Sequence, residues 1–167
     1  MYLSWLIPCY NEERRIEKTI REVDAYLQSR NFTGGYEIIV VDSSSRDRTA
    51  AIVRDLQLKL LNLKLVTVAN RGKGWAVREG ILKARGEIRL FSDADNSTPP
   101  ESFDAMLPFF SQGYDLVISS RDPKDAAGAS RTVKEPWHRE LMGKLGNLVI
   151  QFFGGVWGIW DTQNGFK

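Results

Sequence analysis

Residues 2–42, "YLSWLIPCYNEERRIEKTIREVDAYLQSRNFTGGYEIIVVD", decide the architecture. Two short, mostly apolar, β-rich runs, "YLSWLIP" (2–8) and "YEIIVVD" (36–42), flank the stretch 11–30. There Ile16, Ile20, Val23 and Leu27 recur at helical spacing, so the order is strand, helix, strand. The alternation continues outward. "SSRDRTAAIVRDLQ" opens with capping residues and predicts a second helix, and "LKLVTV" a third strand. "GKGWAVREGILKA" predicts a helix, "EIRLF" a strand, "PPESFDAMLPFF" a helix with Pro in its first turn, and "DLVISSR" (115–121) a fifth strand. Such regular alternation predicts an α/β domain with a mostly parallel sheet flanked by helices. Segment 122–136 has no apolar period and is expected to be a mobile loop.

In such sheets ligands gather beyond the carboxyl ends of the strands. The conspicuous polar residues fall there: Tyr10, Asn11 and Glu12 after the first strand, Asp42 with Ser43, Ser44 and Ser45 after the second, Asp93 and Asp95 after "EIRLF", and Arg121 after "DLVISSR". Asn11 also suits a helix cap with Glu12 and Glu13 in the first turn, and the serines suit ordinary turn chemistry.

Composition narrows the function classes. The 167 residues, 43% of them hydrophobic, suit one domain spanning 1–167. With 23 basic and 21 acidic residues the net charge is +2, which gives no argument for a nucleic-acid surface. Cys9 is the single cysteine, so no disulfide closes within the chain, and its neighbours suggest a small core residue. Charge by Glu12 and the lack of a small-residue cleavage site argue against a leader peptide at Met1. The longest nearly apolar run, "LVIQFFGGVWGIW", falls short of the ~20 residues of a membrane span.

"SDADNSTP" (92–99) raises the chemical question. If the chain is extended there, Asp93 and Asp95 share a face and repel unless something positive stands between them. A calcium loop would want Gly sixth and Glu twelfth, where counting from Asp93 gives Thr98 and Asp104. An aspartyl nucleophile would leave the polar ends of the first two strands unexplained. Oxygen ligands with open positions suit Mg²⁺ or Mn²⁺ shared with substrate phosphates; a solvated turn is the plain alternative. "RGKG" (71–74) resembles a phosphate cradle without the full Walker spacing, and His138 has no partners of metal-site type.

Taken together, "IPCYNEE", "VVDSSSRDRT", "NRGKGWAVREGILKARGE", "SDADNSTP", "ISSRD" and "DTQNGFK" resemble, in order and spacing, the family 2 glycosyltransferases of the dolichyl-phosphate β-glucosyltransferase and dolichol-phosphate mannose synthase type. The resemblance covers essentially the whole chain and implies a GT-A fold, a nucleotide-sugar donor, a divalent cation and a polyprenyl-phosphate acceptor. Carried over by position, Pro8, Tyr10, Glu12 and Asp42 would line the nucleoside pocket, with Lys73 and Ala94 also on the donor. Asp93 and Asp95 would form the Asp-X-Asp metal motif. Arg121 and Arg139 would hold the acceptor phosphate, and Asp161 and Gln163 would close the acceptor side. Where the family commonly reads "DDGS" this chain has "DSSS", and the "DADxST" form is closer to the glucosyl branch, favouring UDP-glucose over GDP-mannose. Family domains continue past "GFK", so the chain is expected to be a fragment, acting peripherally at the cytoplasmic membrane face, with any membrane helices outside it.

The helical stripe of Trp137, Leu141, Leu145, Leu148 and Phe152 reads first as core, and secondly as an interfacial helix beside a lipid acceptor. The expectation is an inverting, metal-dependent hexosyltransferase. The rivals are a sugar-nucleotidyltransferase, which should show a glycine-rich loop after the first strand, a polysaccharide synthase, and a binding module without turnover.

Overall fold

A computed structural model describes residues 2–30, 32–120, 146, 150–153 and 165–166. Four parallel strands, β1 (Leu3–Cys9), β2 (Tyr36–Asp42), β3 (Leu63–Thr67) and β4 (Ile88–Phe91), form one sheet in the order β3-β2-β1-β4. Between them run α1 (Ile16–Arg30), α2 (Thr49–Gln57) and α3 (Lys73–Lys83). The chain steps outward from β1 to β3, then crosses back to lay β4 on the far side of β1. The strand order reverses between β1 and β4, and a crevice opens at such a switch point.

Every residue of β1 is buried, which is why its sequence is apolar apart from Ser4. Side chains still alternate. Leu3, Trp5, Ile7 and Cys9 meet Ile16, Ile20, Val23 and Leu27 of α1 on one face, with Val53 and Leu56 of α2. Leu6, Ile39 and Val41 meet Ala76 of α3 on the other. This second layer is thin because α3 lies close to the sheet: a Cβ at Gly80 would overlap Leu6 and stand 2.9 Å from Val41 Cγ2.

The buried polar residues of the sheet answer one another. Ser4 and Glu37 are in register on β1 and β2, and the Ser4 hydroxyl donates to Glu37 Oε1 at 2.6 Å. Lys64 of β3 pairs with Glu37 Oε2 at 2.6 Å, and the Arg85 amide donates to Oε1 at 2.7 Å. Pro8 sits where its missing N–H costs nothing. The Leu6 carbonyl accepts from Ser92 on the β4 side and the Cys9 carbonyl from Ser43 on the β2 side, so position 8 faces the β4 side, beyond the last β1–β4 pair, Leu6↔Phe91.

Three expectations need correction. The first helix starts at Ile16 rather than Asn11, because Asn11 takes a left-handed φ of 57° and breaks the helical path. The helix expected over 99–110 is split into a 3-10 turn (Pro100–Ala105) and a short α4 (Leu107–Ser111), since Pro108 has no N–H to carry one helix through. No strand forms over residues 115–120. Leu116 and Val117 line a cavity of about 360 Å³ with Ile88, Leu90, Phe103 and Tyr114, and further on Ser119 bonds to the Phe166 carbonyl through its amide and its hydroxyl. The loop expected over 122–136 lies outside the described residues, as does most of the stripe over 137–152; of the latter, Phe152 is helical and exposed.

Candidate active site

The loops after β1 and β2 are zipped by reciprocal bonds. Asn11 Oδ1 accepts from the Arg46 amide at 2.8 Å, and the Asn11 amide donates to Ser45 Oγ at 2.9 Å. The Glu12 amide donates to Thr49 Oγ1 at 2.8 Å, while Glu13 and Asp47 accept from one another's loops. Asn11 is thus a lock between loops, and its side chain does not cap α1. Asp42 is buried and turned into its own loop, where both carboxylate oxygens accept from the Ser45 amide at 3.3 and 3.2 Å and Oδ1 also from the Ser45 hydroxyl. Of the two positions where "DSSS" departs from "DDGS", the Ser44 hydroxyl donates to the Val68 carbonyl at 2.8 Å, while position 43 is held through its backbone amide, which donates to the Cys9 carbonyl. Burial first, then the charges of Asp42 and Glu12, push the Cys9 thiol far up, so it stays protonated.

Tyr10 stands at the mouth of the crevice with 39% of its surface exposed, and the guanidinium of Arg71, beyond β3, lies 5.4 Å from its ring centroid. The pair forms a flat, cationic platform.

Asp93 and Asp95 lie on a turn rather than on extended chain. The Asn96 amide donates back to the Asp93 carbonyl at 3.3 Å, Asn96 has φ 47°, and Asp95 Oδ1 accepts from the Ser97 amide at 3.0 Å. Ala94 between them points into the core, and its carbonyl accepts from Thr19 Oγ1 of α1 at 2.7 Å. The repulsion anticipated from the sequence is met by two side chains: Lys73 at the start of α3 pairs with Asp93, and Arg15 Nη1 stands 3.9 Å from Asp95 Oδ2. Glu12 joins through Arg15, whose Nε lies 2.5 Å from Glu12 Oε2.

This turn fits a hard divalent cation. Both carboxylates are partly exposed. Asn96 Oδ1, in the same turn, is the buried side-chain polar atom that has no partner among the described residues. No cluster of three or more acidic, His or Cys side chains forms among those residues, so an ion here would take further ligands from phosphate and water, as Mg²⁺ does.

Of the residues singled out in the sequence, the structure gathers Tyr10, Glu12, Lys73, Asp93, Ala94 and Asp95 around the switch point, with Pro8 and Asp42 buried beneath. Arg121, Arg139, Asp161 and Gln163 lie outside the described residues. Arg15 and Thr19 escaped the sequence reading, and Arg71 entered it only within "RGKG"; their partners Asp95, Ala94 and Tyr10 lie far along the chain. The end of the "DTQNGFK" motif does return to the site: Phe166 bridges Ser92 in antiparallel sense and packs edge-on to Trp5 at 5.6 Å.

Residues 4–162 match the family described as "Glycosyl transferase family 2". The chain is 35% identical over its full length to dolichyl-phosphate beta-glucosyltransferase ALG5D of Trichomonas vaginalis, covering 53% of that protein. It is 41% identical over 99% of its length to the Homo sapiens dolichyl-phosphate beta-glucosyltransferase, again covering 53%. The chain thus spans about half the length of these relatives. Among solved structures, the mannosyltransferase PcManGT from Pyrobaculum calidifontis, in complex with GDP-Man and Mn²⁺, is 26% identical with a TM-score of 0.55 over 85% of this chain and 38% of that one. A reversed strand order, an aspartate turn at the switch point and this breadth of likeness agree, and the chain belongs to glycosyl transferase family 2.

Proposed function

We propose that this chain forms the donor-binding part of an inverting hexosyltransferase. It moves a hexose, glucose in preference to mannose, from a nucleoside diphosphate to a polyprenyl phosphate such as dolichyl phosphate. The observation that carries this reading is the Asp93–Asp95 turn at the switch point, edged by Lys73 and Arg15. The named activity of the relatives supports the glucosyl donor and the lipid acceptor, and the GDP-Man and Mn²⁺ of the Pyrobaculum structure support the metal and leave GDP-mannose as the alternative donor.

A Mg²⁺ or Mn²⁺ ion held by Asp93 and Asp95 would supply Lewis-acid stabilisation of the departing diphosphate. Lys73 and Arg15 add positive charge beside the same phosphates. Tyr10 offers an aromatic face to the base, backed by Arg71, while Pro8 and the Asp42 loop shape the wall beneath. Arg121 and Arg139 take the acceptor phosphate, whose second pKa of ~6 leaves its oxygen largely ionised at neutral pH, so no strong base is required. Asp161 and Gln163 close that side. Attack forms one C1–O bond as the bond to the diphosphate breaks, giving a β-linked product from an α-linked donor. A lipid acceptor puts the proposed reaction at a membrane surface, and the cytoplasmic face is part of the same proposal.

A thermal-shift screen of UDP-glucose and GDP-mannose, with and without Mn²⁺, tests the reading. At ~100 times Kd a ligand adds about 2.7 kcal/mol, a shift of several degrees. UDP-glucose should give that shift only with Mn²⁺. A shift with GDP-mannose alone would reassign the sugar, and no shift with either would remove the reading.

A further inference from the structure

The acceptor-side motif reaches the donor-side carboxylate. The Ser92↔Phe166 bridge is antiparallel, so the residue before Phe166 comes to lie beside the residue after Ser92, which brings Gly165 against Asp93. A Cβ at position 165 would overlap the Asp93 carboxylate. The neighbours are fixed. Phe166 is 1% exposed, its carbonyl accepts from the Ser119 amide at 3.2 Å and the Ser119 hydroxyl at 3.1 Å, and Ser92 Oγ accepts from the Trp5 indole at 2.8 Å. With both backbones held, the movable group is the carboxylate itself. We propose that Gly165 is a positioning residue for Asp93: its bare Cα leaves the space in which that carboxylate stands toward Lys73, so the chain segment leading to the acceptor side sets the aim of a metal ligand.

The inference rests on the metal reading of Asp93 and Asp95. Gly165→Ala places a methyl group where the carboxylate now stands, and the far end of a side chain yields before backbone does. The variant should melt within about 4 °C of the parent, while Mn²⁺ binding followed by electron paramagnetic resonance weakens about ten- to a hundredfold. Mn²⁺ affinity equal to the parent's in folded Gly165→Ala overturns this inference and leaves the metal reading standing. Absence of Mn²⁺ binding by the parent overturns both. If Gly165→Ala instead melts much lower, adding Asp93→Ala should restore the melting temperature by clearing the overlap. A loss that persists in the double variant overturns the contact.

Discussion

Glu37 shows how a charge is kept inside a sheet. Burial alone would raise its pKa; the bond from Lys64, the Ser4 hydroxyl and the Arg85 amide outweigh this and hold the carboxyl below its usual range. A folded-state value below the unfolded one contributes stability above the ordinary carboxylate range, and that contribution is lost as pH falls through the range toward the folded value. Glu37→Gln should therefore cost about 1–3 kcal/mol at pH 7, with the gap to the parent narrowing below about pH 4, as read by urea denaturation at both pH values. An equal gap at both would mean that the charge is not what matters. None of this was legible beforehand. Ser4 and Glu37 looked like polar interruptions in apolar strands, because their partnership depends on a register that only pairing sets. The same holds for Arg15 and Arg71, whose partners Asp95 and Tyr10 are distant in the chain. Asp93 and Asp95 were legible because both chemical members stand in one short stretch.

At the scale of elements, α3 shows packing overriding propensity. A helix-interior glycine costs about 1 kcal/mol relative to Ala, so Gly80 looks like a defect until its distance from β1 and β2 is counted. Gly80→Val would press a branched side chain into Leu6 and Val41, and we expect a net loss of about 1–3 kcal/mol in chemical denaturation, despite removal of the glycine. A stabilised variant would show that α3 can lift off the sheet without cost. Up to Phe91, α1 could be read from apolar spacing because it buries one face, and β1 and β2 from short apolar runs because nearly all of their residues are buried. Beyond Phe91 the reading failed for tertiary reasons. Pro108 divides a helix that apolar spacing made continuous, and the stretch 115–120 has strand-like composition but stands across a cavity from the edge it would have to join.

On the scale of the whole molecule, β1 couples both cores to the crevice: its alternate side chains belong to the two layers, and its carboxyl end carries Cys9 and Tyr10. Cys9 is 5% exposed and its thiol pKa is raised, chiefly by burial, so it reports on the integrity of that centre. Native protein at pH 8 should resist iodoacetamide, with alkylation, followed by mass spectrometry, no faster than global unfolding allows. Labelling at the rate of a free thiol would show that the crevice end of β1 opens on its own. The sheet order too was only partly legible: alternation indicates parallel strands, but the return of β4 to the far side of β1 is a choice among topologies that no local pattern records. Pro8 carries a consequence of that return. Any other residue there would present an amide toward the β4 side, an invitation for the chain after Phe91 to go on hydrogen-bonding up β1 and seal the gap between them. Proline withholds the donor, so the sheet unzips at that point, and the turn bearing Asp93 and Asp95 is free to peel outward. The opening beside the aspartate turn is in this sense written as a missing hydrogen.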